Sequence, residues 1–187
     1  GNDIVSLAPL GDLEQLVGLY LNDNRISDVR PLAGMKNLYQ LQLGDNPVAD
    51  ISPLATVDSL QQLVLWRTQV TDFSPLYGLY YLSDVAFSEM NLTDVSFMAH
   101  LKRPQRVGLA FNQITNADSL RSLYMVESLN LMQNQLTTIA GLGWMTGLRE
   151  LRLTNNQITD IMPLVNNPGI DSGDVVYLEG NPLSQTA

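Results

Sequence analysis

Apolar residues recur every 22 positions along almost the whole chain. A fixed period of this length is typical of repeat architectures, in which one short unit stacks on the next and neighbours bury each other's apolar side chains. The period therefore predicts an open-faced solenoid rather than a globule built around a catalytic cleft. The clearest series is Leu19, Leu41, Leu63, Val85, Val107, Leu129 and Leu151.

Each repeat contains an L-x-L segment. In 151–153 the two leucines are two positions apart, so they point to one side of a short strand while Arg152 points to the other. Stacked units place such strands side by side in a parallel sheet, and the rest of each unit returns the chain. The sequence therefore predicts a buried face and an outward face, the strand face, on every strand.

Polar residues also keep the period. An asparagine amide both donates and accepts, so we expect the Asn column to bridge backbone groups of adjacent units. Aspartates follow it, mostly before a proline, and predict turns and short helices rather than calcium ligands. The two columns are Asn24, Asn46, Asn112, Asn134 and Asn156, and Asp28, Asp50, Asp72, Asp94 and Asp160.

The unit L-x-x-L-x-L-x-x-N-x-I-x-D-I-x-P-L, best seen over 148–164, resembles the leucine-rich repeat family. More narrowly, it is similar to the short class found in bacterial internalins and in a eukaryotic regulator of protein phosphatase 1. The resemblance covers essentially the whole chain. It implies an α/β repeat solenoid, a right-handed horseshoe with a concave parallel β-sheet and short helical turns on the convex side.

We expect a single leucine-rich repeat domain over 1–187 with about eight strand units. After Ile170 the register slips by three residues, so 171–174 are expected to hold an extra turn before Val176 and Leu178 supply the last strand. At the other end, Asn2 and Ile4 match the second half of a unit. The chain thus starts in mid-repeat and is expected to be a fragment of a longer protein.

Composition argues against several functions. The net charge is −9 and the ten basic residues are scattered, whereas a nucleic-acid partner requires clustered Lys and Arg. With no cysteine and only His100, which falls on a returning segment, we expect neither catalysis nor a cofactor or metal site. No apolar run approaches the roughly 20 residues that span a bilayer, so membrane insertion is not expected.

One region of the strand face is predicted to bind a ligand. Small residues at 86, 88, 108 and 110 are surrounded by Trp66, Phe111 and Met132 on the repeat grid, which predicts a shallow depression. Tryptophan and arginine are frequent anchors of protein interfaces. The candidate ligand-binding residues are Tyr20, Gln42, Gln62, Trp66, Arg67, Glu89, Arg106, Phe111, Met132 and Arg152.

The same region departs from the repeat pattern. Thr68 and Met90 stand in the asparagine column, and Pro104 replaces a leucine. Broken local rules sometimes mark functional sites. A drifted repeat that loosens or bends the stack also explains them, so both interpretations stay open.

The resemblance to internalins implies a non-catalytic module that binds a protein, in a secreted or cell-surface bacterial setting. A glycan is an alternative ligand, because aromatic and amide side chains also suit sugars. Two further functions stay open: a structural spacer or stalk of a surface protein, and a targeting domain of a larger enzyme. The sequence indicates neither the ligand's identity nor an oligomeric state.

Overall fold

A computed structural model describes residues 1–184, in which short strands alternate with single helical turns. The strands are β1 (Gly18–Tyr20), β2 (Gln40–Gln42), β3 (Gln62–Val64), β4 (Asp84–Ala86), β5 (Arg106–Gly108), β6 (Ser128–Asn130), β7 (Glu150–Arg152) and β8 (Val175–Tyr177). The returning segments contain 3₁₀-helices η1 (Ala8–Leu10), η2 (Arg30–Leu32), η3 (Ser52–Thr56), η4 (Ser74–Leu76), η5 (Ser96–His100), η6 (Asp118–Ser122) and η7 (Ala140–Trp144), and a short α-helix, α1 (Met162–Val165).

Backbone contacts divide the chain into two compact units. The first unit comprises Gly1–Met90 and His100–Arg103 and contains β1 to β4. The second comprises Asn91–Ala99 and the chain from Pro104 onward, and contains β5 to β8. In each unit, strands that are consecutive in sequence pair in parallel, as expected when an irregular segment or helical turn returns the chain after every strand. The predicted leucine-rich repeat solenoid is therefore confirmed.

Pairing follows the repeat period. In the first unit Leu41 pairs with Leu19 and with Leu63, and in the second Leu129 pairs with Val107. These ladder residues are buried, and burial of equivalent positions against each other fixes the register. The L-x-L leucines thus form the cores, and the residues between them lie on the strand face, as predicted.

Asparagines tie the turn after most strands to the previous repeat. The Asn46 Oδ1 accepts a hydrogen bond from the Ile26 N–H at 2.9 Å. Its Nδ2 donates to the carbonyl oxygens of Leu21 and Leu43 at 2.9 and 3.0 Å. Asn134 repeats this arrangement in the second unit. The predicted bridging role is confirmed, and it satisfies buried backbone groups that no strand ladder reaches.

In the first unit, Thr68 and Met90 stand at positions where other repeats have the bridging asparagine, and their side chains pack together instead. The Thr68 hydroxyl donates to the Leu65 carbonyl at 2.8 Å, which keeps one of the bonds that an asparagine makes. The Met90 sulphur lies 4.0 Å from the same hydroxyl, and both side chains are buried. At these two positions the asparagine bridge is thus replaced by the Thr68 side chain packed on the Met90 thioether.

The last repeat contains the predicted insertion. Strand β8 pairs with β7 through Leu151 and Val176, which are three positions further apart than one repeat. The extra turn is held at 171–174, where the Asp171 N–H donates to the Asp174 carboxylate at 2.9 Å. Asn181 then makes the same bridge as the other column asparagines: its Oδ1 accepts a hydrogen bond from the Ile158 N–H at 3.1 Å.

Aspartates start several of the helical turns. The Asp28 Oδ1 accepts from the Arg30 N–H at 2.9 Å, and Asp50 accepts from the Ser52 N–H at 2.8 Å. These bonds favour the charged carboxylate. The side-chain hydrogen bond from Arg30, followed by its backbone N–H, lowers the pKa of Asp28 to about 2. The predicted turn role of this column is confirmed.

We expect the Asp28 turn to weaken only in acid. Its pKa is about 2 in the folded chain and about 3.9 in an unfolded one, so its stabilising effect is complete above about pH 5 and is lost as the pH falls towards 2. The control is Asp28→Asn, which keeps an acceptor but does not titrate, as Asn116 does for the Asp118 N–H. Urea unfolding from pH 7 to 2 should show the difference between the two proteins changing in that window. A constant difference would contradict this assignment.

Candidate ligand-binding surface

In the first unit, the Trp66 indole lies directly over Gly44, one repeat earlier. A Cβ atom at Gly44 would lie 2.2 Å from the indole Nε1 and 2.4 Å from Cε2, so only glycine leaves room for the ring. Gly44 is buried although it belongs to the strand face, and Trp66 remains partly exposed. The ring is thus held against the backbone and stays partly exposed.

The Arg67 guanidinium lies over the Trp66 ring. Its Cζ lies 5.4 Å from the Trp66 ring centroid, a cation–π distance. The guanidinium also contacts Glu89 at 2.7 Å and Asp45 at 3.9 Å. The bond to Glu89 raises the pKa of Arg67 above its ordinary value. Because these groups are exposed, their contribution is orientation more than stability.

Arg67 and Glu89 adopt an unusual backbone conformation, with φ angles of 52° and 56°. Left-handed φ values are uncommon outside glycine and are best tolerated by Asn and Asp. Asp23 and Asp45 suit this position in earlier repeats, with φ angles of 57° and 54°. Two long charged side chains are therefore kept where the fold favours a short one, and such departures cluster at functional sites.

Gln42 belongs to a polar network that reaches the support of Trp66. The Asn22 Nδ2 donates to the Gln42 Oε1 at 2.8 Å. The Asn22 Oδ1 in turn accepts from the Gly44 N–H at 2.8 Å. The sequence identified Gln42 as a candidate but missed Asn22 and Gly44, whose positions two repeats and one repeat before Trp66 were the available signal.

The two other candidates on the first unit make separate contacts. The Tyr20 hydroxyl, on an exposed side chain, donates to the Gln40 side-chain oxygen. The Gln62 Nε2 donates to the Asp84 carboxylate at 3.3 Å. Neither interaction involves Trp66 or Arg67.

In the second unit, Phe111 and Met132 come together through the backbone. The Phe111 N–H donates to the Met132 carbonyl at 3.0 Å. Phe111 is 48% exposed and has a φ of 57°, so an aromatic side chain is presented to solvent from a left-handed residue. This conformation is a true outlier for a bulky side chain. The ring therefore has no evident structural reason to be there.

Two replacements of Phe111 should distinguish the effect of losing the aromatic ring from the effect of the backbone strain at this residue. Phe111→Asn and Phe111→Ala both remove the ring, but asparagine tolerates the left-handed region, as Asn155 does at a φ of 57°. We expect the Asn variant to be about 0.5–1 kcal/mol more stable than the Ala variant. Urea unfolding monitored by circular dichroism measures the difference, and a more stable Ala variant would contradict the strain argument.

Arg152 forms a second arginine–aromatic group. Its Cζ lies 5.1 Å from the Tyr177 ring centroid, and its guanidinium contacts Glu150 at 2.7 Å. The Ser128 hydroxyl donates to the same carboxylate at 3.1 Å. The bond to Arg152, followed by that from Ser128, lowers the pKa of Glu150. Arg152, a predicted candidate, is thus held in place by Tyr177 and Glu150.

The predicted residues therefore fall into separate groups. Trp66, Arg67 and Glu89 form one group in the first unit. Phe111 and Met132 are together in the second, where Arg106 is exposed on β5. The depression predicted to span 66–132 stays a prediction.

His100 lies at the end of η5, on the returning segment where the sequence placed it. It stacks on Tyr77 of the same unit, with ring centroids 4.4 Å apart. Within residues 1–184, no three His, Asp or Glu side chains come together as metal ligands would. No helix in that range has the length and apolar character to cross a membrane.

Comparison with known proteins identifies the architecture. A family model described as leucine-rich repeats in two copies matches residues 14–56. Internalin C2 of Listeria monocytogenes is similar in structure over 97% of this chain and 77% of its own, with a TM-score of 0.84 and 29% identity. The chain has the leucine-rich repeat fold. None of the curated proteins matches the sequence significantly.

Other leucine-rich repeat structures are similar at lower identity. The Listeria monocytogenes internalin inlF has a TM-score of 0.61 and 24% identity over 99% of this chain and 67% of its own. A TLR13 structure, solved as a complex with the RNA ssRNA13, has a TM-score of 0.81 and 20% identity over 98% of this chain and 27% of its own. At these identities, the two likenesses show a shared fold alone.

Proposed function

We propose that this leucine-rich repeat protein is a non-catalytic module that binds another protein through its strand face. The observation that carries the proposal is the Trp66 ring, seated on Gly44 and flanked by the Arg67 guanidinium at 5.4 Å. Tryptophan and arginine are the residue types that most often dominate protein interfaces. A side chain already fixed in place loses little freedom on binding, so more of its contact energy appears as affinity.

Charge supports a protein ligand over a nucleic acid. The chain has a net charge of −9. Arg67, the cation beside Trp66, is already paired with Glu89 and lies near Asp45. Phosphate groups would meet neutralised arginines and nearby carboxylates, whereas a protein surface with basic and apolar residues is complementary.

The likeness to internalin C2 supports recognition as the general role. Leucine-rich repeats present a rigid, extended surface whose strand residues vary without disturbing the core. By the same analogy we propose a bacterial, secreted or cell-surface setting. The proposal that no chemistry is catalysed rests on the lack of cysteine and on the placement of the only histidine beside Tyr77.

Trp66→Ala should weaken ligand binding about 30-fold or more, because truncation of a central anchor typically costs 2 kcal/mol or more. The measurement is affinity capture from a surface and extracellular extract, with the captured protein identified by mass spectrometry and its Kd then determined for each variant. Phe111→Ala, tested separately, shows whether the second unit also takes part.

The control is Tyr124→Ala, which removes an aromatic side chain that is 67% exposed in a returning segment. It should retain full binding at matched thermal stability. Equal binding by the wild-type and Trp66→Ala proteins would contradict the proposal and favour the structural spacer.

A further inference from the structure

A cavity of about 640 Å³ lies on the returning side of the second unit, between η7 and α1. Its walls are mainly apolar and include Trp144, Met162, Pro163 and Pro168. The volume falls within the roughly 300–1,000 Å³ of small ligand sites. None of the candidate residues of the strand face contributes to it.

The two largest wall residues are exceptions to the repeat. Trp144 is 72% exposed, and the preceding repeats have Gly78, His100 and Ser122 at its position. Met162 is 41% exposed at a position that is serine in three earlier repeats. Because those repeats fold with small or polar residues there, the solenoid does not require either side chain. Their concentration at one place points to a ligand.

Backbone packing shapes the cavity. A Cβ atom at Gly143 would lie 2.9 Å from the carbonyl oxygen of Pro163, so glycine allows η7 and the start of α1 to approach closely. Trp144 follows directly and is displayed at the rim. The site is therefore formed by elements whose positions are fixed by the solenoid.

Charge indicates what the cavity accepts. Asp160 is its acidic wall residue, and none of the wall residues is basic. The Asp160 Oδ1 accepts from the Met162 N–H at 2.8 Å, which orients the carboxylate at the start of α1. A carboxylate and an exposed indole both attract a cation, and the net charge of −9 adds a favourable field.

We propose that this cavity binds a basic peptide segment of a protein partner. An arginine or lysine of that segment directs its cationic group to Trp144 and Asp160, and its flanking apolar residues pack on Met162 and the prolines. A guanidinium stacks on an indole and pairs with a carboxylate at the same time. With apolar walls and few polar groups, the cavity suits such a side chain better than a sugar, whose hydroxyl groups need several hydrogen-bond partners. This site is additional to the strand face.

The test uses nuclear magnetic resonance of the full 187-residue chain, which has two tryptophans and hence two indole N–H signals. The probes are acetyl-Leu-Arg-Leu-amide and the same peptide with neutral citrulline in place of arginine. We expect the arginine peptide to shift the Trp144 signal saturably, with a Kd of about 1 mM or lower, and the Trp66 signal to stay in place. The citrulline peptide should bind at least about fivefold more weakly.

Two variants keep the test specific. Trp144→Ser introduces the residue found one repeat earlier, at Ser122, so it should fold, assign the signal and abolish binding. Asp160→Asn keeps an acceptor for the turn but removes the charge, so it should reduce the preference for the arginine peptide. No shift of the Trp144 signal up to about 5 mM peptide, or equal affinity for both peptides in the wild type, would overturn the proposal. Saturation by methyl glucoside in place of peptide would overturn it too.

Discussion

Leu63→Ala is expected to lower the free energy of unfolding by about 2–5 kcal/mol, because it removes a fully buried side chain and leaves a cavity. Leu63 is 0% exposed and lies in the middle of β3, where it pairs with Leu41 and Val85. A solenoid repeat is stabilised mainly by its immediate neighbours, so the loss affects both adjacent interfaces. Urea unfolding followed by circular dichroism measures the effect.

Leu63→Met is the matched control, since it conserves volume and should cost less than about 1.5 kcal/mol. Val64 lies next in the chain on the strand face and is only half-buried, so Val64→Ala should also be mild. If Leu63→Ala cost no more than Val64→Ala, the assignment of the two faces of β3 would be wrong.

Asn46→Ala is expected to destabilise the first unit by about 2–4 kcal/mol. The substitution leaves the Ile26 N–H and the Leu43 carbonyl without their side-chain partner in a buried turn. Each buried polar group without a partner costs about 1–3 kcal/mol. Hydrogen exchange at the Ile26 amide reports the local effect, and urea unfolding reports the total.

The chain itself offers the control for this substitution. Asn46→Thr imitates Thr68, whose hydroxyl bonds to the carbonyl three residues earlier, so it should retain part of the stability. The Ala variant should therefore be less stable than the Thr variant. The reverse order would show that the amide bridge contributes little and that packing dominates the turn.

Most of the fold was predictable because burial fixes it. The seven ladder positions from Leu19 to Leu151 each lie at the centre of a strand. The three-residue shift before Val176 was also predictable, since the L-x-L pattern moves with the strand. Short elements of this kind have weak intrinsic preferences, and repetition supplies the signal that a single strand of three residues lacks.

Less of the candidate surface was predictable. Residue type identified Trp66 and Phe111, but the seating of Trp66 on Gly44 depends on the direction of a side chain, which the repeat period does not specify. The left-handed conformation of Arg67 did have a signal, because Asp23, Asn155 and Gly180 occupy the same repeat position. These residue types favour positive φ angles. The exposed Trp144 was not predicted, because it lies in a returning segment, outside the strand pattern.

The register of the first unit has a consequence for how such a gene can change in length. Leu19, Leu41 and Leu63 pair in sequence, and each repeat presents the same kinds of partner to the next. Deletion of 41–62, one full period, would bring Leu63 beside Leu19 with the pairing pattern intact. Deletion of a single residue inside a strand would instead turn the rest of that strand to the wrong side. Unequal recombination that adds or removes whole repeats therefore keeps the pairing pattern, and the length of the strand face can evolve by copy number as well as by substitution.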